Sequence, residues 1–401
     1  MICQHLCMAD LDFKMFDADN HYYEATDAFT RHLDPRMHKR AMQWAHIDGK
    51  QRLLVGGKVN RFIPNPTFDP VARPGALDDY FRGKSPADDI RAAFGELEPI
   101  SAAYREPEAR LALMDEQGIE ATFLFPTLGV GMEEALCDDP EAAAATFSAF
   151  NRWLDDDWGL HAADRIFAAP MISLLDPKAA ADEVDWALDR GARVVVMRSG
   201  PIKDPLGHRT HGHPDHDAVW QKLNDAGILV AFHSGESGYG FMAEAWGRNP
   251  EFEAFRYDAF KQLITGHRPI HDTIGGLVCD GLFTQFPNLR VATIESGSDW
   301  VGALSRSLRK AFKQRPGSFG GVDPVAQLRE HVWVSPYYED DLDELVEILG
   351  VERVLFGSDY PHAEGLAEPS DFVADLAGFD DEAIRKIMRD NGMALATPRP
   401  T

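Results

Sequence analysis

Near its far end the chain reads Arg353-Val354-Leu355-Phe356-Gly357-Ser358-Asp359-Tyr360-Pro361-His362, an apolar run that stops on a carboxylate, with a histidine three residues on. An apolar strand ending on a carboxylate is how a (β/α)8 barrel presents catalytic groups at its C-terminal face. The competing role for Asp359 is the N-cap of the next helix, a position Asp favours. Earlier in the chain, Asp17, Asp19 and His21 recur at every second position. On a strand they share one face, with Phe16 and Ala18 on the other. Three such groups do not suit an apolar interior unless a metal or a hydrogen-bond network satisfies them. Arg198, His233 and Glu295 close three further apolar runs. Imidazole with carboxylate, and no cysteine, is a ligand set for Zn, Mn or Fe. Such an ion lowers the pKa of a bound water. Asp359 would then serve as ligand and general base together. For Arg198 two roles compete: a bidentate clamp on a substrate carboxylate or phosphate, and a salt bridge to acidic neighbours.

These groups converge only if the elements beneath them are strands of one sheet. From Glu106 onward the pattern alternates. Helix is expected over 107–117, 139–163, 177–190, 217–226, 300–312 and 340–349. Strand is expected over 119–125, 165–172, 192–198, 228–233, 289–295, 331–334 and 353–359. With 13–19 as the first strand, eight strands each precede helical sequence, and their near-continuous apolar runs are those of parallel strands. The fold class is therefore α/β, a (β/α)8 TIM barrel, with an open doubly wound sheet as competitor. No GxGxxG or GxxxxGK[ST] loop follows any strand. Residues 22–104 are rich in Pro and Gly and read as an insertion after strand 1 that covers one mouth of the site, within a single domain spanning 1–401. Gly56-Gly57 marks a hairpin inside it.

Bulk properties narrow the function. The 401 residues carry 40 Lys and Arg against 65 Asp and Glu, a net charge of -25. That disfavours nucleic acid and anionic membranes as partners, and no run approaches the length of a membrane span. Four scattered cysteines (Cys3, Cys7, Cys137, Cys279) without a CxxC pair suggest neither disulfides nor a zinc knuckle. The first ten residues lack the pattern of a secretory leader. A cytoplasmic enzyme with a small-molecule substrate is expected, self-association being allowed. The His208, His211, His213, His216 loop matches no metal spacing, so a solvated loop is the simplest reading. Trp158, Trp220 and Trp300 read as helix-packing residues, and Trp246 as a candidate pocket wall.

The segments Asp17-Ala-Asp-Asn-His21, Met114-Asp-Glu-Gln-Gly-Ile-Glu120 with Phe125-Pro-Thr127, Gly191 to Arg198, Val230-Ala-Phe-His-Ser-Gly235, Glu295-Ser-Gly297 and Phe356-Gly-Ser-Asp-Tyr-Pro-His362 together resemble the amidohydrolase superfamily. The branch is that of aminocarboxymuconate-semialdehyde decarboxylase and related aromatic-acid decarboxylases. The resemblance implies a (β/α)8 barrel with one or two divalent metal ions at the C-terminal face. It implies Asp19 and His21 as the strand-1 ligands, His233 from strand 5 and Asp359 from strand 8. Strand 1 departs from the pattern with Asp-x-His, Glu295 stands where many members have histidine, and Arg198 stands where hydrolytic members have a metal-bridging lysine. A lysine-bridged binuclear site is thus disfavoured. Either one ion or a carboxylate-rich pair remains, the pair drawing also on Glu24 or His362. The implied activity is a metal-dependent hydrolase or decarboxylase acting on a small carboxylated or ring-containing substrate, with a non-haem di-iron monooxygenase as the alternative. Candidate ligands are Asp19, His21, His233, Glu295 and Asp359. Candidate catalytic residues are Asp359, His233, Arg198 and His362.

Overall fold

The computed structural model describes residues 11–87, 89–256 and 258–401. Cys3, Cys7 and the N-terminal segment discussed above lie outside them. Ten strands are present among the described residues: β1 (Met15–Tyr22), β2 (Met42–Ile47), β3 (Lys50–Val55), β4 (Lys58–Val59), β5 (Ile119–Pro126), β6 (Ile166–Ala168), β7 (Val194–Arg198), β8 (Leu229–His233), β9 (Arg290–Ile294) and β10 (Val332–Val334). β1, β5 and β6 form one parallel sheet, and β7, β8, β9 and β10 form another. The strands are buried along nearly their whole length, β7 (Val-Val-Val-Met-Arg) completely, as parallel strands covered by helices must be.

Isolated parallel bridges join the two sheets. On one side Met171 pairs with Val196. On the other the segment after Arg353 lies between β10 and β1 through Val334–Val354 and Asn20–Tyr360. The Asp359 N–H donates to the Asp19 carbonyl at 2.8 Å, and the His21 N–H to the Tyr360 carbonyl at 2.7 Å. The expected strand 353–359 is therefore not a regular one. Val351–Arg353 forms a 3-10 turn, and beyond it pairing is single bridges. Two features explain this. A Cβ on Gly357 would lie 2.5 Å from that of Asp19, so the segment passes β1 where there is no room for a side chain. The Asp17 side chain also takes the Ser358 N–H at 3.0 Å, in the manner of side chains that compete with ladders.

Other boundaries shift for local reasons. The helix expected over 139–163 is Pro140–Asp157, capped by Asp139 and followed by Gly159 at φ 70°, the left-handed turn that ends helices. The strand expected over 165–172 keeps only β6, because Pro170 brings no N–H to the ladder. Helix Pro177–Asp189 starts on an Asp176 cap with Pro at its first position, and Gly227 ends helix Asp217–Ala226 at φ 57°.

Between β1 and β5, the strands β2, β3 and β4 make a small antiparallel sheet, with Gly56-Gly57 at the β3–β4 turn. The same stretch touches loops at the C-terminal ends of the parallel strands. Gly75 N–H donates to the His362 carbonyl at 3.1 Å, and Leu77 N–H to that of Ala363 at 2.7 Å. The Phe62 and Phe252 rings stack with centroids 5.2 Å apart. Trp158, Trp220 and Trp300 are buried as helix packing requires. Trp246 is 67% exposed against Phe260 and does not wall the pocket described below.

Candidate metal centre

Asp19, His21, His233, Glu295, Asp359 and His362 meet at the C-terminal ends of these strands. Their donor atoms form two overlapping groups: Asp19, His21 and His233; and His21, Glu295, Asp359 and His362. His21 Nε2 belongs to both, lying 3.2 Å from Asp19 Oδ1 and 3.4 Å from Asp359 Oδ1. His233 Nε2 lies 3.4 Å from Asp19 Oδ1 and 3.5 Å from Glu295 Oε2. His233 Nδ1 sits 2.8 Å from the Ser234 carbonyl, a contact that leaves Nε2 to face the cluster. Asp359 Oδ1 lies 2.6 Å from His362 Nδ1, and His362 Nε2 lies 2.9 Å from Thr127 Oγ1.

Backbone geometry aims two of these groups. Glu295 and Asp359 have φ of 50° and 55°, left-handed values uncommon outside Gly, Asn and Asp. Each follows the straight part of its strand segment and turns the side chain into the mouth. Such conformations persist only where the surroundings hold them. Tyr337 does so for Glu295, its hydroxyl donating to the Glu295 carbonyl at 2.6 Å. Nothing in the sequence marked Tyr337 beyond an aromatic near the end of β10.

The electrostatics follow from burial and crowding. Burial disfavours the Asp19 carboxylate, but the His21 and His233 imidazoles beside it outweigh that and hold Asp19 below the usual range. Burial, then the charge of His362, pushes His21 well below its ordinary value. Glu295 is pushed well above its own by burial and by the charge of Asp359. Asp359 is raised by burial and by Glu364, Asp19 and Asp17. Carboxylates that raise one another's pKa at this spacing call for a cation. The side-chain atoms Asp19 Oδ1, Asp359 Oδ1 and His362 Nδ1 are buried and make no well-aligned hydrogen bond among the described residues, close as their neighbours are. Those orphaned donors fit a divalent ion of the Zn, Mn or Fe type.

Three expected participants stand elsewhere. Arg198 is buried against Glu133 at 3.2 Å and Glu134 at 3.1 Å, and it donates to the Ser237 and Pro201 carbonyls at 2.7 Å each. Its donors are spent on a salt-bridge network, the alternative to a substrate clamp. Glu24 accepts the backbone N–H groups of Leu128 and Gly129 at 2.9 Å, so it braces the loop after β5 and is not among the grouped donors. Asp17 turns to Asn20 and Ser358 instead of the mouth. In the histidine loop, His211 Nε2 lies 2.9 Å from the Arg198 carbonyl and His216 Nδ1 3.1 Å from that of His211, and no grouped donors occur there among the described residues.

A pocket of about 150 Å³ opens beside Glu295, with Ser234, Tyr337, Phe252, Lys261 and His267 in its lining. Parallel strands whose C-terminal ends gather carboxylates and imidazoles beside a small pocket define an α/β protein with a candidate metal site. Residues 86–395 match the Amidohydrolase family, and the chain belongs to it. A solved amidohydrolase from Mycobacterium avium subsp. paratuberculosis K-10 is 46% identical, over 96% of this chain and 98% of that one, with a TM-score of 0.91. The 2-amino-3-carboxymuconate-6-semialdehyde decarboxylase of Dictyostelium discoideum is 26% identical over 125 residues, which span 30% of this chain and only 34% of that protein. A dihydroxybenzoic acid decarboxylase from Polaromonas sp. JS666, solved with manganese and the inhibitor 2-nitroresorcinol, is 16% identical over 96% of this chain and 97% of that one, with a TM-score of 0.58. At that identity it shows a shared fold. None of these relatives supports the di-iron oxygenase alternative. Among the described residues no helix is long and apolar enough to cross a membrane.

Proposed function

We propose that this protein is a divalent-metal-dependent enzyme that decarboxylates a small carboxylated ring compound, the hydrolysis of such a compound being the neighbouring reading. The observation that carries the proposal is the pair of overlapping donor groups beside a small pocket. The named activities of the two decarboxylase relatives favour carboxyl loss over hydrolysis. We further read the eight parallel segments as one (β/α)8 barrel in a single domain, with 22–104 as an insertion over its mouth. The bridges between the sheets and the contacts of Phe62, Gly75 and Leu77 support that arrangement.

Asp19, His21, His233 and Asp359 would hold the ion, with Glu295 at its edge. When bound, it supplies Lewis acidity toward a substrate oxygen or a water. The chain's own groups handle the proton. Decarboxylation delivers one proton to the ring carbon that loses carbon dioxide, whereas hydrolysis takes one from water. Asp359 Oδ1, 2.6 Å from His362 Nδ1, serves either direction, with His362 beside it as the exchanging partner. Lys261 in the pocket lining, its Nζ 2.6 Å from the Glu251 carbonyl, is the cation on hand for a substrate carboxylate, since Arg198 is neutralised.

Metal analysis by mass spectrometry on protein grown without added metal, then chelation and reloading with Mn, Zn or Fe, tests the proposal alongside a carbon dioxide release assay on hydroxylated aromatic acids. One or two ions per chain and metal-restored release are expected. Folded protein that takes up no stoichiometric ion would sink it.

A further inference from the structure

Behind the candidate ligands lies a chain of buried polar groups that the chemistry above does not use. Arg110, on helix Pro107–Glu116, is 1% exposed, yet no carboxylate reaches ion-pair distance of it among the described residues. Its Nε donates to the Ala103 carbonyl at 2.6 Å, its Nη2 to the His21 carbonyl at 2.7 Å, and its Nη1 to Asn20 Oδ1. The Asn20 amide then donates through Nδ2 to Asp17 Oδ2 at 2.8 Å. Asp17, itself fully buried, accepts from the Asp19 N–H at 3.1 Å, the Ser358 N–H at 3.0 Å and the Ser358 hydroxyl at 2.5 Å. Guanidinium and carboxylate are thus paired through one amide, whose two ends are matched to the two charges.

The relay's outputs are selective. Arg110 grips the carbonyl of His21, and Asp17 grips the amide of Asp19 and that of Ser358, the residue before Asp359. Each bond fixes the backbone at or next to a candidate ligand, and the two from Ser358 to Asp17 cross the seam between β1 and the eighth segment. A buried polar chain of this sort costs desolvation, which apolar residues of the same shape would avoid. We propose that Arg110, Asn20 and Asp17 are positioning residues that hold Asp19, His21 and Asp359 at metal-binding spacing. This rests on the metal-dependent reading above.

The test uses Asp17→Asn, Asn20→Ala and Arg110→Met in the full chain, with Arg290→Met as control. Arg290 is also a buried cation bonded to carbonyls, those of Ala394 and Gly227, but it lies at the start of β9, away from the ligands. Two readouts apply: metal affinity by chelator competition, and amide hydrogen exchange at Ser358 and Asp359 in the metal-free protein. The relay variants should bind metal ten- to a hundredfold more weakly, the range for supports behind metal ligands, and exchange at those two amides should quicken at least tenfold. Arg290→Met should lower the melting temperature with neither effect. Asn20→Ala keeps both charges and serves if the charge variants fail to fold. Wild-type affinity with unchanged exchange in the relay variants overturns this inference alone, as does equal weakening in Arg290→Met. A wild type that takes up no ion overturns both it and the proposed function.

Discussion

Tyr337 shows how a single residue sets the site. Glu295 pays for its left-handed backbone with strain of order 1–3 kcal/mol, and the Tyr337 hydroxyl is the group that bonds its carbonyl. A Cβ on Gly297 would meet the Tyr337 ring at 2.7 Å, so the ring also packs on the turn. Tyr337→Phe keeps that packing and removes one hydrogen bond, a change of about 1 kcal/mol. The expected outcome is a melting temperature within a few degrees of wild type and metal affinity reduced about fivefold, read by chelator competition. Unchanged affinity would show that Glu295 is held by packing alone. At this scale the candidate cluster was legible, since its members are ionisable residues closing apolar runs, which the interior does not otherwise tolerate. The salt bridge of Arg198 stood as one of two competing roles, whereas the brace made by Glu24 was not legible, because its partners come from the loop after β5. A pattern of strand ends shows where a side chain starts, and its bonds depend on chain folded back from elsewhere.

Among the elements, the seam between β1 and the eighth segment is the vulnerable one. Helix–strand alternation was readable through most of the chain because caps, prolines and glycines sit where helix ends need them, as at Asp139, Asp176 and Gly227. The eighth strand was misjudged for a physical reason. Its apolar residues pack as a strand's do, but Gly357 brings its backbone against Asp19, and the Asp17 side chain takes the Ser358 N–H. Gly357→Ala tests that account. The new methyl would lie 2.5 Å from Asp19 Cβ and 2.7 Å from Ser335 Oγ, neither at the free end of a long side chain. A loss of roughly 1–3 kcal/mol, the usual cost of overpacking, should appear in urea unfolding, together with weaker metal binding. Alanine at full stability and full affinity would mean the seam has slack that the short contacts do not suggest.

For the whole molecule, the pH dependence of stability is a contest between buried groups of opposite sign. Burial depresses His211 from 6.5 to about 3, outweighing the bond to the Arg198 carbonyl, which favours the charged ring. Its contribution is complete above pH 6.5 and is lost as pH falls towards 3, because the unfolded chain takes up the proton first. Glu24 is raised from 4.5 to about 7, mainly by burial. Here the folded state takes up the proton first, so stability is gained as pH falls from 7 to 4.5 and does not change below that. Between pH 6.5 and 4.5 the two oppose each other, each pH unit being worth at most about 1.4 kcal/mol per group. Below 4.5 the Glu24 gain is complete while the His211 loss continues. The combined contribution of these two groups should therefore be nearly flat from pH 6.5 to about 4.5 and fall beneath it, which the melting temperature of His211 and Glu24 variants across pH reads out. His211→Gln, which can still donate to the Arg198 carbonyl, removes one side of the contest. Its melting temperature, lower at pH 7, should rise relative to wild type as the pH drops below 6.5. A variant whose profile stays parallel to wild type would place the acid sensitivity in other groups, such as the buried His216 and His331.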